Sequence, residues 1–340
     1  MTTDIGIDFG SSKTVLFSSN RIVLEMPSIV TVDSETFEPV YFGKKAEATL
    51  GRTPESLTCV RPVEHGVISD MDLARRMLSV YIQKAFGKKI VRPRIMASIP
   101  PGVTEMQHHS LQTVIEESGG RNISVIESPI AVAMGLGIYL ASPRGSMIID
   151  IGAGTTDIAV ISMGGIASCA TVKAASFDFD EAIIRHVRRE YNIMIGQLTA
   201  ENIKKRVGCV IPRQIELACV ARGRDIMTGL PHSIEVNSAG VLDAVSETAA
   251  NICAGIKAVL EKTDPDLVAD ITEDGVYLAG GGSLIYGMAD YIEDYLQVKV
   301  NQINDPAHAV VRGTAAVLKN PEMLSESDFE HRAIKELIVE

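Results

Sequence analysis

Tryptophan is absent from this chain, and aromatic residues make up only 5% of its 340 positions. The core must therefore rest on Ile, Val, Leu, Ala and Met. Cysteine is scarce as well: the five residues are Cys59, Cys169, Cys209, Cys219 and Cys253. Their number is odd, their spacings are long and no pair is C-x-x-C, which argues against a zinc site and a disulfide framework and fits a reducing cytosol. Positive charge falls short of negative, giving a net charge of -11. An acidic surface repels phosphate backbones, so no nucleic-acid partner is expected, although local basic patches stay possible. No apolar run approaches the ~20 residues that span a bilayer. The N-terminus, MTTDIGIDFG, lacks the charged-then-apolar order of a signal peptide. A soluble cytoplasmic protein is expected, one able to touch a membrane from outside.

What is present is a hydrophobic fraction of 46% against 22% charged residues, the balance of a packed globular protein. A chain of 340 residues exceeds one ordinary core and suggests two domains or a domain with subdomains. The organising feature is a repeat. Residues 5–17 read IGIDFGSSKTVLF and residues 147–160 read MIIDIGAGTTDIAV. Each is an apolar strand, an Asp, a turn of small residues and a second apolar strand. Asp8 and Asp150 stand 142 positions apart (150 minus 8), so two similar hairpins imply two similar domains facing each other.

Strand-like and helix-like patterns alternate between the hairpins. Residues 90–100 and 123–129 read as strands, 103–120 as a helix stopped by a Gly pair, and 131–140 as an apolar helix. This order predicts an α/β fold with a mostly parallel sheet. In the second half, 178–192 reads as a helix with an acidic first turn. Residues 199–208 read as a helix opened by Thr199 and closed by Gly208. Residues 241–263 form a long helical stretch, and 275–296 read as strand, Gly triplet, helix.

The two hairpins carry the chemistry. Turns of small residues let backbone N–H groups approach a phosphate, and Ser and Thr hydroxyls add hydrogen bonds. An Asp at each strand end can hold Mg²⁺ through its water shell. Either hairpin alone is as well read as an ordinary Gly turn; the repetition argues for function. Gly280, Gly281 and Gly282 lie between an apolar run and a helix, a common place for backbone to pack against a nucleotide.

Together these three segments resemble the fingerprint of the actin, heat-shock chaperone ATPase and sugar kinase superfamily. The hairpins resemble its two phosphate loops, the Gly triplet its adenosine motif, and ESPIAVAMGLG (127–137) and HAVVRGTAAV (308–317) its two connecting helices. Within the superfamily the chain is most similar to the MreB/Mbl bacterial actin homologues. The stretches at 50–70, 126–135, 150–166, 179–205, 223–231 and 279–288 follow in the family's order, and the likeness runs from about residue 4 to 318.

That resemblance implies an actin-like fold: two ribonuclease H-like domains flanking a nucleotide cleft, each with a smaller subdomain. Its divisions would be 1–32, 66–143 and 310–340 for subdomain IA, 33–65 for IB, 144–178 and 240–309 for IIA, and 179–239 for IIB. It implies ATP with Mg²⁺ as the ligand. Asp8 and Asp150 would organise the metal, and Gly10, Ser11, Ser12, Gly152, Ala153, Gly154 and Thr155 would hold the phosphates. Gly280, Gly281 and Gly282 would complete the adenosine site. Glu201, Lys204 and Lys205 would pack on adenine and ribose, although by spacing alone they read equally as a solvated helix face. Lys13 stands where the family usually has Asn; it either reaches the phosphates as a point charge or points into solvent. The implied function is a membrane-associated homopolymeric filament that scaffolds cell-wall synthesis with elongation membrane proteins and sets rod shape.

Two departures bear on catalysis. The family's Glu-Glu-Pro is here Glu127-Ser128-Pro129, and Ser128 cannot serve as a carboxylate base. Glu127 is adjacent, but neighbours in an extended segment face opposite ways. Ala175-Ser176-Phe177 replaces the usual Gly-Gly-Asp or Ala-Gly-Asp. Slow or minimal ATP turnover is expected, with a non-polymerising actin-like adaptor in division or pilus assembly as the alternative. Ile90 and Val91 occupy the place of the family's membrane-insertion loop, flanked by Lys84, Lys88, Lys89, Arg92 and Arg94. Each basic residue near an anionic surface is worth about 1 kcal/mol. The other reading is that Ile90 and Val91 begin a core strand.

Overall fold

The computed structural model describes residues 4–87 and 93–319. The chain opens with a meander of β1 (Asp4–Phe9), β2 (Lys13–Ser18) and β3 (Arg21–Pro27). A small excursion follows: β4 (Val30–Asp33), β5 (Pro39–Phe42), the one-turn α1 (Lys44–Glu47) and β6 (Leu57–Val60). The short hairpin of β7 (Val63–Glu64) and β8 (Val67–Ile68) leads into α2 (Met71–Phe86), β9 (Arg94–Ile99), α3 (Glu105–Glu117), β10 (Arg121–Glu127) and α4 (Ser128–Gly135).

The second half repeats the plan. A meander of β11 (Ser146–Ile151), β12 (Thr156–Ser162) and β13 (Gly165–Val172) precedes its own excursion. That excursion contains α5 (Ser176–Tyr191), β14 (Ile193–Met194), α6 (Gln197–Val207), β15 (Ala218–Asp225) and β16 (Pro231–Asn237). Then come α7 (Ser238–Lys262), α8 (Pro265–Asp274), β17 (Val276–Ala279), a 3-10 turn over Gly281–Leu284, α9 (Met288–Leu296), β18 (Val300–Gln302) and α10 (Ala309–Lys319).

The two five-stranded sheets share one topology. The first runs β10-β9-β1-β2-β3 and the second, read in the same sense, β18-β17-β11-β12-β13. In each, the meander is antiparallel, one added strand (β9 or β17) pairs parallel with the first strand, and the other (β10 or β18) pairs parallel with that added strand. The central strands β1 and β11 are almost wholly buried, as expected for Ile-rich strands covered on both faces. The repeat seen in the sequence is thus a repeat of whole half-molecules.

Each half has its own core. Met77, Leu78, Tyr81, Val114 and Ile115 of α2 and α3 pack under the first sheet, and Phe179, Ile183, Val245, Ile252 and Ile256 of α5 and α7 under the second. A third cluster joins the halves: Met96 of the first sheet, Ile148 of the second, Ile130 and Ala131 of α4, and Val310 and Val317 of α10. At the α4–α10 crossing a side chain on Gly313 would collide with the Ala131 carbonyl, so only glycine permits this approach.

Several expected boundaries move. Helix α6 begins at Gln197, two residues before Thr199, because Gly196 is the cap and its carbonyl accepts from the amides of Thr199 and Ala200. Helix α4 ends at Gly135 rather than running to Leu140: Gly137 turns left-handed (φ 73°), and the Ile138 amide bonds back to Ala133. Ser128, read as extended, is the first residue of α4, with Glu127 as its cap.

Candidate functional site

The ends of β1 and β11 face each other across a cleft of about 740 Å³, within the usual range for ligand sites. Asp8, Gly10, Ser11, Ser12 and Lys13 line it from the first half, and Asp150, Gly152, Ala153, Gly154 and Thr155 from the second. Glu201, Lys204, Lys205, Gly280, Gly281, Gly282 and Ser128 line it too. Glu127 closes β10 opposite Ile99. Ile90 and Val91 lie outside the described residues.

Each turn is closed by its own backbone. The Gly10 amide donates to the Lys13 carbonyl at 3.1 Å, and the Gly152 amide to the Thr155 carbonyl at 2.8 Å. The two turns also meet. A Cβ on Gly154 would stand 3.1 Å from Ser11 Oγ. The Gly66 amide donates to that same hydroxyl at 3.0 Å, and His65 Nδ1 lies 2.9 Å from the Gly154 carbonyl. The β7–β8 hairpin tip therefore touches both turns. His65 and Gly66 are both left-handed (φ 48° and 74°), and space at Gly66 is closed by Pro100. Gly280 is similarly constrained: φ is 86°, and a Cβ would collide with Asp150 Oδ1 and the Ile151 carbonyl.

The cleft carries excess negative charge. Burial pushes the Asp8 carboxyl up to about 6, against the pull of Lys13 and a long hydrogen bond from Ser98 (3.5 Å). Asp150 is raised well above the ordinary range by burial, then by Asp157 and Asp8. Asp157, which the sequence reading overlooked, lies opposite Asp150 in the β11–β12 register, and burial raises it to about 7. Among the described residues, no three His, Cys, Asp or Glu side chains gather closely enough to wrap a bare metal ion. Two buried carboxylates facing open space suit a cation that keeps its water shell, as Mg²⁺ does. A divalent ion there would supply the positive charge these carboxylates lack.

Polar networks hold the walls. Lys13 Nζ donates to Glu25 Oε1 at 2.6 Å and lies 3.3 Å from His308 Nε2. His308 Nδ1 is 2.7 Å from Asp305 Oδ1, and its Nε2 also lies 3.4 Å from Glu25 Oε2. Lys204 is buried. Its Nζ donates to the Ser176 carbonyl and hydroxyl (2.8 and 2.7 Å) and to Asp180 at 2.9 Å, so it stiffens the cleft wall from within. Lys205 pairs with Glu201 at 2.6 Å along α6. Ser128 is buried, and its hydroxyl donates to the Ile99 carbonyl at 3.2 Å.

A further contact crosses the cleft. The Arg61 guanidinium lies 4.6 Å from the centroid of the Phe177 ring. Arg61 Nη1 donates to the Ser11 carbonyl at 3.4 Å, while the Phe177 amide donates to the Ala153 carbonyl at 2.8 Å. Each partner is thus tied to one of the two turns. Phe177 is the residue that replaces the expected Asp.

A family model described as MreB/Mbl protein matches residues 2–326. The chain belongs to the MreB/Mbl family. The cell shape-determining protein Mbl of Bacillus cereus is 38% identical over 323 residues, covering 94% of this chain and 97% of that one. Among solved structures, MreB 5 of Spiroplasma citri bound to AMPPNP superposes with a TM-score of 0.90 at 32% identity, covering 96% and 98% of the two chains. A chain of the MamK double helical filament matches with a TM-score of 0.78 at 22% identity over 94% of this chain and 99% of that one, a likeness of fold. The family fold is therefore actin-like, as expected. Among the described residues no helix is long and apolar enough to cross a membrane.

Proposed function

We propose that this protein is an actin-like cytoskeletal protein of the MreB/Mbl family that binds Mg-ATP in the interdomain cleft, polymerises, and determines cell shape. The observation that carries the reading is the meeting of two equivalent hairpin turns, with Asp8 and Asp150 at their strand ends, in one cleft. The turns offer backbone amides and the hydroxyls of Ser11, Ser12 and Thr155 to the phosphates. Asp8 and Asp150 orient the waters of the metal. Gly280, Gly281 and Gly282, whose backbone sits against Ile151 and Ala307, form the wall for the adenosine. Glu201 and Lys205 border it, and Lys13 reaches the phosphates by leaving Glu25. The AMPPNP bound to the Spiroplasma relative supports an adenine nucleotide as ligand.

Bound ATP and its metal supply the phosphoanhydride and the charge that activates it. The chain's own residues align the phosphates and exclude bulk water. Turnover is slow, because Ser128 offers no carboxylate and its proton is committed to Ile99. Head-to-tail, non-closing contacts between copies produce filaments, and the MamK filament supports that mode for the fold. The four subdomains take the boundaries given by the resemblance. Association with the inner membrane surface through the Ile90–Val91 region, and with cell-wall elongation membrane proteins, belongs to the same reading.

The test is calorimetric titration with Mg-ATP, followed by sedimentation and electron microscopy with and without liposomes. Saturable uptake of one Mg-ATP and nucleotide-dependent filaments are expected. No uptake of any adenine nucleotide would overturn the reading. Uptake without pelleting under any condition would turn it into an adaptor.

A further inference from the structure

Resting on that reading of the cleft, we propose that His308 takes up a proton when Mg-ATP binds, and that the charged ring then bridges Glu25 and Asp305 at the cleft rim. The observation that carries it is a contest for one nitrogen. His308 Nε2 lies 3.3 Å from Lys13 Nζ and 3.4 Å from Glu25 Oε2. Lys13 has only protons to give, and the Glu25 carboxylate has only lone pairs. Towards Lys13, Nε2 must offer a lone pair; towards Glu25, it must carry a proton. It cannot do both, and Lys13 decides which, because its Nζ already donates to Glu25 Oε1 at 2.6 Å. The other ring nitrogen is committed. Nδ1 is 2.7 Å from Asp305 Oδ1, so it carries a proton in either state.

Counting charges gives the direction. Lys13 and Arg312 each bring a positive charge, and Glu25 and Asp305 each bring a negative one; Arg312 Nη2 donates to Asp305 Oδ2 at 2.7 Å. With a neutral imidazole the cluster is balanced. When Lys13 turns to the phosphates, a negative charge is left uncompensated, and a proton on Nε2 cancels it. The imidazolium then faces a carboxylate at each nitrogen. The His308 side chain is only 17% exposed, so water replaces these partners poorly. Partial burial works against the ionised forms of Glu25 and Asp305, yet both carboxyls lie below their usual range. Lys13 and His308 hold Glu25 down, and Arg312 and His308 hold Asp305 down. Asp8, farther off, favours a charged ring in the same sense. Besides α10, which brings Arg312, the turn that carries His308 packs on β17 and on the 3-10 turn over Gly281–Leu284. Those two elements hold no acid or base other than Tyr277. The proton also has a mechanical effect. The Pro306 carbonyl accepts from the Gly280 amide at 2.9 Å, so this turn backs the Gly triplet. A charged His308 therefore ties β3 of the first half to the adenosine wall, and mild acid tightens the hold on the nucleotide.

The experiment compares the wild type with H308Q, E25Q and K13M as full chains. Mg-ATP is titrated calorimetrically at about pH 7 in buffers of different ionisation enthalpy, which counts the protons exchanged on binding. The wild type is expected to take up about one proton more than H308Q. Protons displaced from Asp8 and Asp150 by the metal are common to both proteins and cancel. From about pH 8 to about pH 6 the wild-type Kd should tighten roughly tenfold relative to that of H308Q. E25Q should lose the extra uptake, because without that carboxylate the cluster is already neutral once Lys13 has left. K13M should carry the proton before any nucleotide arrives. With isotope-labelled histidine, and H308Q to assign the signal, nuclear magnetic resonance at about pH 7 should show the charged ring in nucleotide-free K13M. In the wild type the charged ring should appear only with Mg-ATP. Equal proton exchange by wild type and H308Q would overturn the coupling. So would wild-type uptake by E25Q, or a neutral His308 in nucleotide-free K13M. Failure of the wild type to bind Mg-ATP would instead remove the reading of the cleft, while K13M would still judge the contest at His308.

Discussion

The Arg61–Phe177 stack makes a quantitative statement about how tightly the cleft holds its ligand. The two residues come from opposite halves, and each is tethered to one of the two hairpin turns. Opening the cleft must separate them. A desolvated cation–π contact is worth about 2 kcal/mol, and the long hydrogen bond to Ser11 adds roughly 0.5 kcal/mol. A loss of about 2 kcal/mol raises a dissociation rate roughly 30-fold, at 1.4 kcal/mol per decade. Arg61→Ala should therefore speed release of a fluorescent ADP analogue, measured by stopped-flow displacement, by that order. Phe177→Leu keeps the apolar bulk and removes the ring, and should give most of the same increase. Phe177→Asp replaces the stack with an ion pair at the cleft rim, worth about 1 kcal/mol or less and weakened by salt. Its release rate should then climb with ionic strength more steeply than the wild-type rate does. An unchanged rate in Arg61→Ala, or a wild-type rate in Phe177→Leu, would refute the reasoning.

Lys204→Met leaves Asp180 and both Ser176 oxygens buried without their cation, and should cost about 3–5 kcal/mol in urea denaturation. Lys204→Met with Asp180→Leu should recover most of it. Gly280→Ala forces a side chain against Asp150 and Ile151 and should abolish Mg-ATP uptake while sparing the fold, as read by calorimetry and circular dichroism. The buried carboxyls of Asp8, Asp157 and Asp180 have folded pKa values raised to about 6, 7 and 6. Their stabilising contribution is complete below the unfolded value near 3.8 and is lost as pH rises through 6 to 7. Nucleotide-free protein should thus lose denaturation midpoint between about pH 4 and pH 7, and Mg-ATP should remove most of that loss. Ser128→Glu places a carboxylate beside Ile99 and should raise phosphate release by at least about tenfold, checked under single turnover.

Local patterns carried much of this molecule. The paired hairpins, the Gly triplet and the alternation of strand and helix were legible because each depends on residues close in sequence. Gly208 as a helix stop and the acidic start of α5 held for the same reason. Thr199 misled because a cap preference competes with the chain's path, and Gly196 was already in place as the cap. Asp157 was in plain view within the second hairpin, but its significance lies in register: only pairing with Asp150 and Thr171 turns it toward the cleft. His65 and Gly66 announce a tight turn by composition, yet their contacts to Ser11 and Gly154 span 55 and 89 residues. Arg61 gave no local signal, because its partner Phe177 lies in the other half of the chain. Lys204 reads from its spacing as part of one helix face with Glu201 and Lys205, but its burial was not legible, because it depends on Ser176 and Asp180 arriving from another helix.

The crossing of α4 and α10 has a mechanical consequence. Both covalent routes between the half-molecules run through these helices. Gly313 rests against the Ala131 carbonyl so closely that the helices cannot slide, although they can still twist about the point of touch. A pivot seated that low turns a small change of angle into a large displacement at the outer rims. Whatever sits between the two hairpin turns is therefore placed to set the angle between the half-molecules.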